Sequence, residues 1–200
     1  MNGSFTYVIG DKLYINLTNR CSNACSFCIR SGRQGMEGET LWLTEEPSAA
    51  DVIALLGSAE NYSEAVFCGF GEPTYKLAEI AEIGAFLKAK GVRVRLNTNG
   101  HASLIHGSRA VEVIAAAVDV VSISLNAPTA EKYQAVCFSE FGDEGFYGML
   151  RFAADIAAAG VKTVLTVVDT IPREDIEECR KLVESEVPGA EFRVRNYDGG

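Results

Sequence analysis

The sequence predicts one α/β domain spanning 1–200: a partial (βα)6 barrel resembling a TIM barrel, with parallel strands and an open lumen. Three observations lead there. Strand-like runs recur at intervals of about thirty residues, each separated from the next by a helical pattern. Two of the runs keep one polar face. The length, 200 residues, suits a real core but falls short of the roughly 250 of a closed eight-fold barrel.

The strand runs are Leu13–Leu17, Ala65–Phe70, Val92–Thr98, Val120–Leu125, Lys162–Val168 and Phe192–Asn196. Between them, Ser48–Glu60 reads as a helix with Pro47 before it and Asp51 in its first turn. Leu77–Lys90 stops at Gly91, Ser108–Val118 follows, and a short piece covers Thr129–Val136. Phe146–Ala159 stops at Gly160, and Arg173–Glu186 starts after Pro172 and ends before Pro188-Gly189. No linker or low-complexity tract divides the chain.

The polar strand faces choose the architecture. Val121, Ile123 and Leu125 oppose Ser122, Ser124 and Asn126, while Val92, Val94 and Leu96 oppose Arg93, Arg95, Asn97 and Asn99. Strands sandwiched between helix layers read as continuous apolar runs. A polar face therefore points to a lumen that meets water or a polar ligand. The bland reading of Arg93 is an ion pair with a neighbouring acid at a strand mouth. Each strand's carboxyl end carries hydrogen-bonding or ligating groups, from Thr18-Asn19-Arg20-Cys21 to Asn196-Tyr197-Asp198. That is the end where parallel βα folds hold their ligands.

The net charge is −9, which argues against direct nucleic-acid binding or adsorption to an anionic membrane. No signal-peptide core or membrane-length apolar run occurs, so a cytoplasmic protein with reduced thiols is expected. Between Lys12 and Met36 the chain carries Lys12, Arg20, Arg30 and Arg33 and no acid, a local +4.

That basic island contains Cys21, Cys25 and Cys28, spaced C-x3-C-x2-C directly after the first strand run. Three thiolates on one loop hold a soft metal centre. Structural zinc and ordinary iron–sulfur carriers both want four ligands, so a triplet leaves one position open. Cys68, Cys137 and Cys179 read as small buried hydrophobes. A competing reading is a non-catalytic Cys3His zinc module with His101 as the fourth ligand.

The triplet, with Phe27 before its last cysteine, resembles that of the radical S-adenosylmethionine (radical SAM) superfamily. Gly69-Phe70-Gly71-Glu72-Pro73 is similar to its GGE motif, and Thr98-Asn99-Gly100 and Ser122/Ser124/Asn126 match further elements. Tyr14 to Cys21 and Phe67 to Thr74 most resemble the small TatD-associated radical SAM proteins. The resemblance implies that Cys21, Cys25 and Cys28 ligate three irons of a [4Fe–4S] cluster and that SAM chelates the fourth. It implies SAM contacts from Phe27, Gly69, Phe70, Gly71, Glu72, Asn99, Ser122, Ser124, Asn126, Asn196 and Tyr197. Thr166 and Asp169 are lesser candidates. The implied chemistry is reductive cleavage of SAM to a 5′-deoxyadenosyl radical that abstracts hydrogen from the substrate.

The expected electron donor is an acidic flavodoxin or ferredoxin, for which the +4 island offers a docking patch. Arg95, with Arg193 or Arg195, suggests recognition of a carboxylate or phosphate, so a small polar substrate or a partner protein is expected. Residues Phe138–Tyr147 read as a lid or a plain loop. Alternatives within the superfamily are enzymes like 7-carboxy-7-deazaguanine synthase, although Ile29-Arg30-Ser31 replaces its usual Asp-Thr, or like a glycyl-radical activase.

Overall fold

A computed structural model of the protein describes residues 3–31, 35–36 and 39–197. Its strands are β1 (Thr6–Ile9), β2 (Lys12–Ile15), β3 (Gly35–Met36), β4 (Glu39–Thr40), β5 (Glu64–Phe67), β6 (Val94–Thr98), β7 (Val120–Ser124), β8 (Lys162–Val168) and β9 (Glu191–Arg195). The helices are α1 (Ala49–Leu55), α2 (Leu77–Ala89), α3 (Ala102–His106), α4 (Arg109–Ala117), α5 (Ala130–Cys137), α6 (Asp143–Ala158) and α7 (Arg173–Glu186).

The main sheet runs β1-β2-β5-β6-β7-β8-β9. All pairs from β2 onward are parallel, which gives the six expected parallel strands and an unclosed sheet. The seventh strand was not anticipated. β1 pairs antiparallel with β2 through a two-residue turn at Gly10-Asp11, where Gly10 has φ +61°. That turn favours residues tolerant of positive φ.

Several element ends differ from the sequence reading, each for a local reason. Ser48 and Asp51 close a reciprocal capping box that starts α1, but the helix ends at Leu55, and a short 3₁₀ turn, Ala59–Asn61, follows Gly57. α6 starts at Asp143, three residues before the expected Phe146, with Asp143 and Glu144 in its first turn. α3 is an extra short helix after the β6 loop.

Strand alternation splits the sheet into two chemical faces. Ile15, Phe67, Leu96, Ile123 and Leu165 turn toward the helices and are fully buried there. The registers align Cys68, Asn97, Ser122 and Val164 across the other face, and above them Ser124, Thr166 and Arg193. This face is the lumen. At its floor, Glu64 is 7% exposed and pairs with Arg95 at 3.1 Å, Lys12 at 3.4 Å and Arg93 at 3.6 Å. Tyr7, Leu41 and Phe70, flanked by Tyr14 and Trp42, make a second small apolar cluster at the β1 end.

Candidate functional site

The carboxyl ends of the parallel strands meet on one rim, and two loops dominate it. The first, residues 16–28, leaves β2 and carries the three cysteines. The Asn19 side chain ties it to Leu43: Nδ2 donates to the Leu43 carbonyl at 2.7 Å, and Oδ1 accepts the Leu43 N–H at 3.1 Å. The Arg30 guanidinium donates to the carbonyls of Asn19 and Asn23, both at 3.4 Å. The far side docks on the end of α5, where Ala24 N–H donates to the Cys137 carbonyl and Ser26 N–H to that of Val136.

The second loop, Cys68–Pro73, leaves β5 and packs directly on the first. The Glu72 amide donates to the Arg20 carbonyl at 2.7 Å. A Cβ on Gly71 would collide with the carbonyl oxygens of Thr18 and Arg20, so the approach of these backbones requires glycine. A Cβ on Gly69 would meet the buried Asn16 side chain.

Glu72 is 3% exposed, and its carboxylate accepts four hydrogen bonds from the protein. Oε1 receives Thr74 N–H (3.1 Å), Thr74 Oγ1–H (2.7 Å) and Thr98 Oγ1–H (2.6 Å), and Oε2 receives Asn99 N–H (2.7 Å). The side chain therefore bolts the β5 loop to the end of β6. Burial raises its carboxyl pKa above the usual range, against the pull of these donors.

A second network radiates from His101, a fully buried residue. Its Nδ1 faces Ser22 Oγ at 2.8 Å, and its Nε2 faces the Gly145 carbonyl at 3.0 Å and the Tyr133 hydroxyl at 3.2 Å. Asn23 donates to the same hydroxyl at 2.9 Å. Burial lowers the imidazole pKa to about 4. With both ring nitrogens held by the protein, His101 is not available as a fourth metal ligand, which removes the structural basis of the Cys3His reading. The network also fastens the segment read as lid or loop. Glu140 N–H donates to the Ser22 carbonyl, Phe141 stands edge-on to His101 at 5.3 Å, and α6 takes up the second half of the segment.

The three thiols are partly buried. Burial pushes Cys21 up to about 12 and also raises Cys28. Cys25 is raised first by a hydrogen bond with Cys137, then by burial. Sequence reasoning missed that neighbour, which is otherwise the buried core thiol expected. Among the described residues no three His, Cys, Asp or Glu side chains stand assembled as a metal cage. The donor chemistry does suit a thiophilic centre: three sulfurs on one braced loop, Cys21 Sγ receiving N–H groups from Asn23 (3.5 Å) and Asn99 (3.9 Å), and Arg30 as the nearby cation. Iron would supply the positive charge that stabilises these thiolates.

The other site candidates sit as follows. Phe27 packs half-buried against the core. Ser122 and Ser124 face the lumen half-buried, and Asn126 is buried with φ +58°. Asn196 and Tyr197 are exposed beyond β9, where Tyr197 N–H donates to Asp169 Oδ1 at 2.6 Å. Two placements differ from expectation. Arg95 lies on the floor, neutralised by Glu64, and is no free guanidinium; Arg193 and Arg195 are exposed. Cys68 is no core hydrophobe: it lies half-buried just beyond β5, and the Tyr7 hydroxyl donates to its backbone carbonyl at 3.1 Å. Arg20 is exposed and stacks over Tyr75 at 4.3 Å, and Tyr75 donates to Glu140 at 2.8 Å. Arg33 lies outside the described residues.

Residues 15–185 match the family model described as the Radical SAM superfamily. No curated protein matches the chain in sequence. Streptococcus suis SuiB bound to S-adenosylmethionine superposes with a TM-score of 0.74 at 20% identity, covering 94% of this chain and 41% of SuiB. SuiB bound to its precursor peptide SuiA gives 0.73 at 20% identity, covering 94% and 39%. A radical SAM methyltransferase from Sphaerobacter thermophilus gives 0.64 at 17% identity, covering 96% and 57%. The chain thus spans about two fifths of SuiB. Among the described residues no helix is long and apolar enough to cross a membrane.

Proposed function

The chain belongs to the radical SAM superfamily, and on that premise we propose that it is an enzyme whose Cys21, Cys25 and Cys28 hold a [4Fe–4S] cluster with one iron left for SAM. The observation that carries this reading is the junction of the cysteine loop with the Gly69–Glu72 loop, closed by a buried hydrogen bond and a glycine nothing else can replace. When bound, the cluster and SAM together supply one-electron cleavage of the sulfonium–carbon bond, giving methionine and a 5′-deoxyadenosyl radical.

The chain's own groups orient and shield. The half-buried backbone of Gly69 and Gly71, beside the cysteine loop, would receive the methionine part of SAM. Glu72 fixes Thr98 and Asn99 at the rim, and its carboxylate would favour the methionine ammonium when SAM binds. Ser122, Ser124 and Asn126 offer hydrogen bonds to ribose or carboxylate, and Phe27, Asn196 and Tyr197 frame the adenine side. Polar lumen walls above the Glu64–Arg95 ion pair would orient a polar guest over the cofactors.

For the substrate we favour a peptide or protein segment bearing an anionic group. Support comes from the unclosed β9 flank with exposed Arg193 and Arg195, and from the precursor peptide bound by SuiB. Among the described basic residues of the cysteine loop, Arg20 is exposed to meet an acidic flavodoxin or ferredoxin, whereas Arg30 is occupied in bracing the loop. Membership of the TatD-associated group is supported by the Tyr14–Cys21 and Phe67–Thr74 segments alone.

Anaerobic reconstitution tests the reading. The expected product is a brown protein with about four irons and four sulfides per chain, an EPR signal perturbed by SAM, and 5′-deoxyadenosine formed under reduction. A colourless protein retaining one zinc and no cluster would overturn it.

A further inference from the structure

The orientation of the Asn99 side chain is fixed by its partners. Oδ1 accepts the His101 backbone N–H at 3.0 Å, and a backbone amide can only donate, so the flipped rotamer is excluded. Nδ2 therefore points the other way, toward Ser22 Oγ at 2.8 Å and Cys21 Sγ at 3.9 Å.

The hydrogens along this path run in one direction. The Gly145 carbonyl can only accept, so His101 Nε2 carries a proton. The ring is fully buried and every hydrogen-bonding partner is neutral, so Nδ1 is bare and takes the Ser22 hydroxyl proton. Ser22 Oγ then accepts from one hydrogen of Asn99 Nδ2. The second hydrogen of that amide has Cys21 Sγ as its acceptor.

We propose that Asn99 is a tuning residue of the cluster: its amide, locked by the Gly145–His101–Ser22 chain, donates an N–H···S hydrogen bond to the iron-ligating Cys21 and raises the cluster's reduction potential. This rests on the cluster reading above. A donor at a ligand sulfur withdraws electron density and favours the reduced, more negative cluster. The Asn23 backbone donor to the same sulfur survives any side-chain change, so Asn99 is the contribution that substitution can remove.

The test is an EPR-monitored redox titration of the reconstituted holoprotein without SAM, comparing wild type with Asn99→Leu, which keeps the volume and loses the donor. The expected result is full iron content and a more negative midpoint. The ratio of reduced to oxidised cluster should fall about tenfold at fixed donor potential, which corresponds to about 59 mV for a one-electron couple. Ser22→Ala frees the amide without removing it and should give a shift of the same sign but smaller size. Deuterium ENDOR on the reduced cluster should show an exchangeable coupling that Asn99→Leu lacks, a readout that survives even if the variant binds less iron. An unchanged midpoint and an unchanged ENDOR pattern would overturn the inference. Failure of the wild type to form any cluster would instead sink the proposed function.

Discussion

Replacing His101 by Gln in the metal-free, reduced protein should remove a specific pH dependence of stability. The imidazole is fully buried, and its pKa falls from an ordinary 6.5 to about 4 because burial penalises the charged ring. The unfolded chain therefore binds a proton between pH 6.5 and 4 that the folded chain refuses. Stability from this group is fully present above pH 6.5 and is lost as pH falls toward 4. At about 1.4 kcal/mol per unit, the shift is worth roughly 3 kcal/mol across the whole window, and about 2 kcal/mol of it is gone by pH 5. Other groups change protonation as well, Glu72 with its burial-raised carboxyl among them, so the informative quantity is the difference between proteins. Urea unfolding at pH 7 and pH 5 supplies it. His101→Gln will lose hydrogen bonds and start less stable at pH 7, but its additional loss at pH 5 should be about 2 kcal/mol smaller than that of wild type. Equal losses in both proteins would show that the ring is not held neutral, and the proton directions derived from it would fall too.

Further outcomes follow from the packing. Gly71→Ala should disable cluster assembly, read as iron retained after reconstitution, because its Cβ meets two carbonyl oxygens; Gly57→Ala, with open space around the new methyl, should be neutral. Glu72→Ala strands buried donors from Thr74, Thr98 and Asn99 and should cost about 2–4 kcal/mol in chemical denaturation, with Glu72→Gln costing less because an acceptor remains. Phe67→Ala empties a fully buried core position and should cost about 3–5 kcal/mol by the same measurement. Arg20→Glu should slow flavodoxin-driven SAM cleavage and flatten its salt dependence while leaving the dithionite-driven rate unchanged, a split that a purely structural arginine would not produce.

Much of the architecture was legible because strand and helix periods differ and the polar strand faces fall on the same rim. All six parallel strands were read from that pattern, and α7 was found at its true bounds, since Pro172 and Pro188 punctuate it. β1 carries a readable signal too, in Thr6-Tyr7-Val8-Ile9 before Gly10-Asp11, but four residues give only a weak period. The site was legible in its residue types and less so in their partners. Asn97, Asn99, Ser122 and Ser124 announce a polar lumen through local alternation. That Arg95 meets Glu64, that Cys25 meets Cys137, and that His101 meets Ser22, Gly145 and Tyr133 are long-range facts of register and packing. No spacing in the chain encodes them.

Among the described residues β9 has no partner on its outer side, and this bears on how the polypeptide substrate proposed above would reach the rim. A fully wound cylinder would admit a polymer only by threading one end through its mouth. In the described sheet no further strand pairs with the outer side of β9, so the peptide substrate proposed above would be laid in sideways, with both of its ends trailing outside. On that proposal, residues in the middle of a long polypeptide would be as reachable as those at its termini.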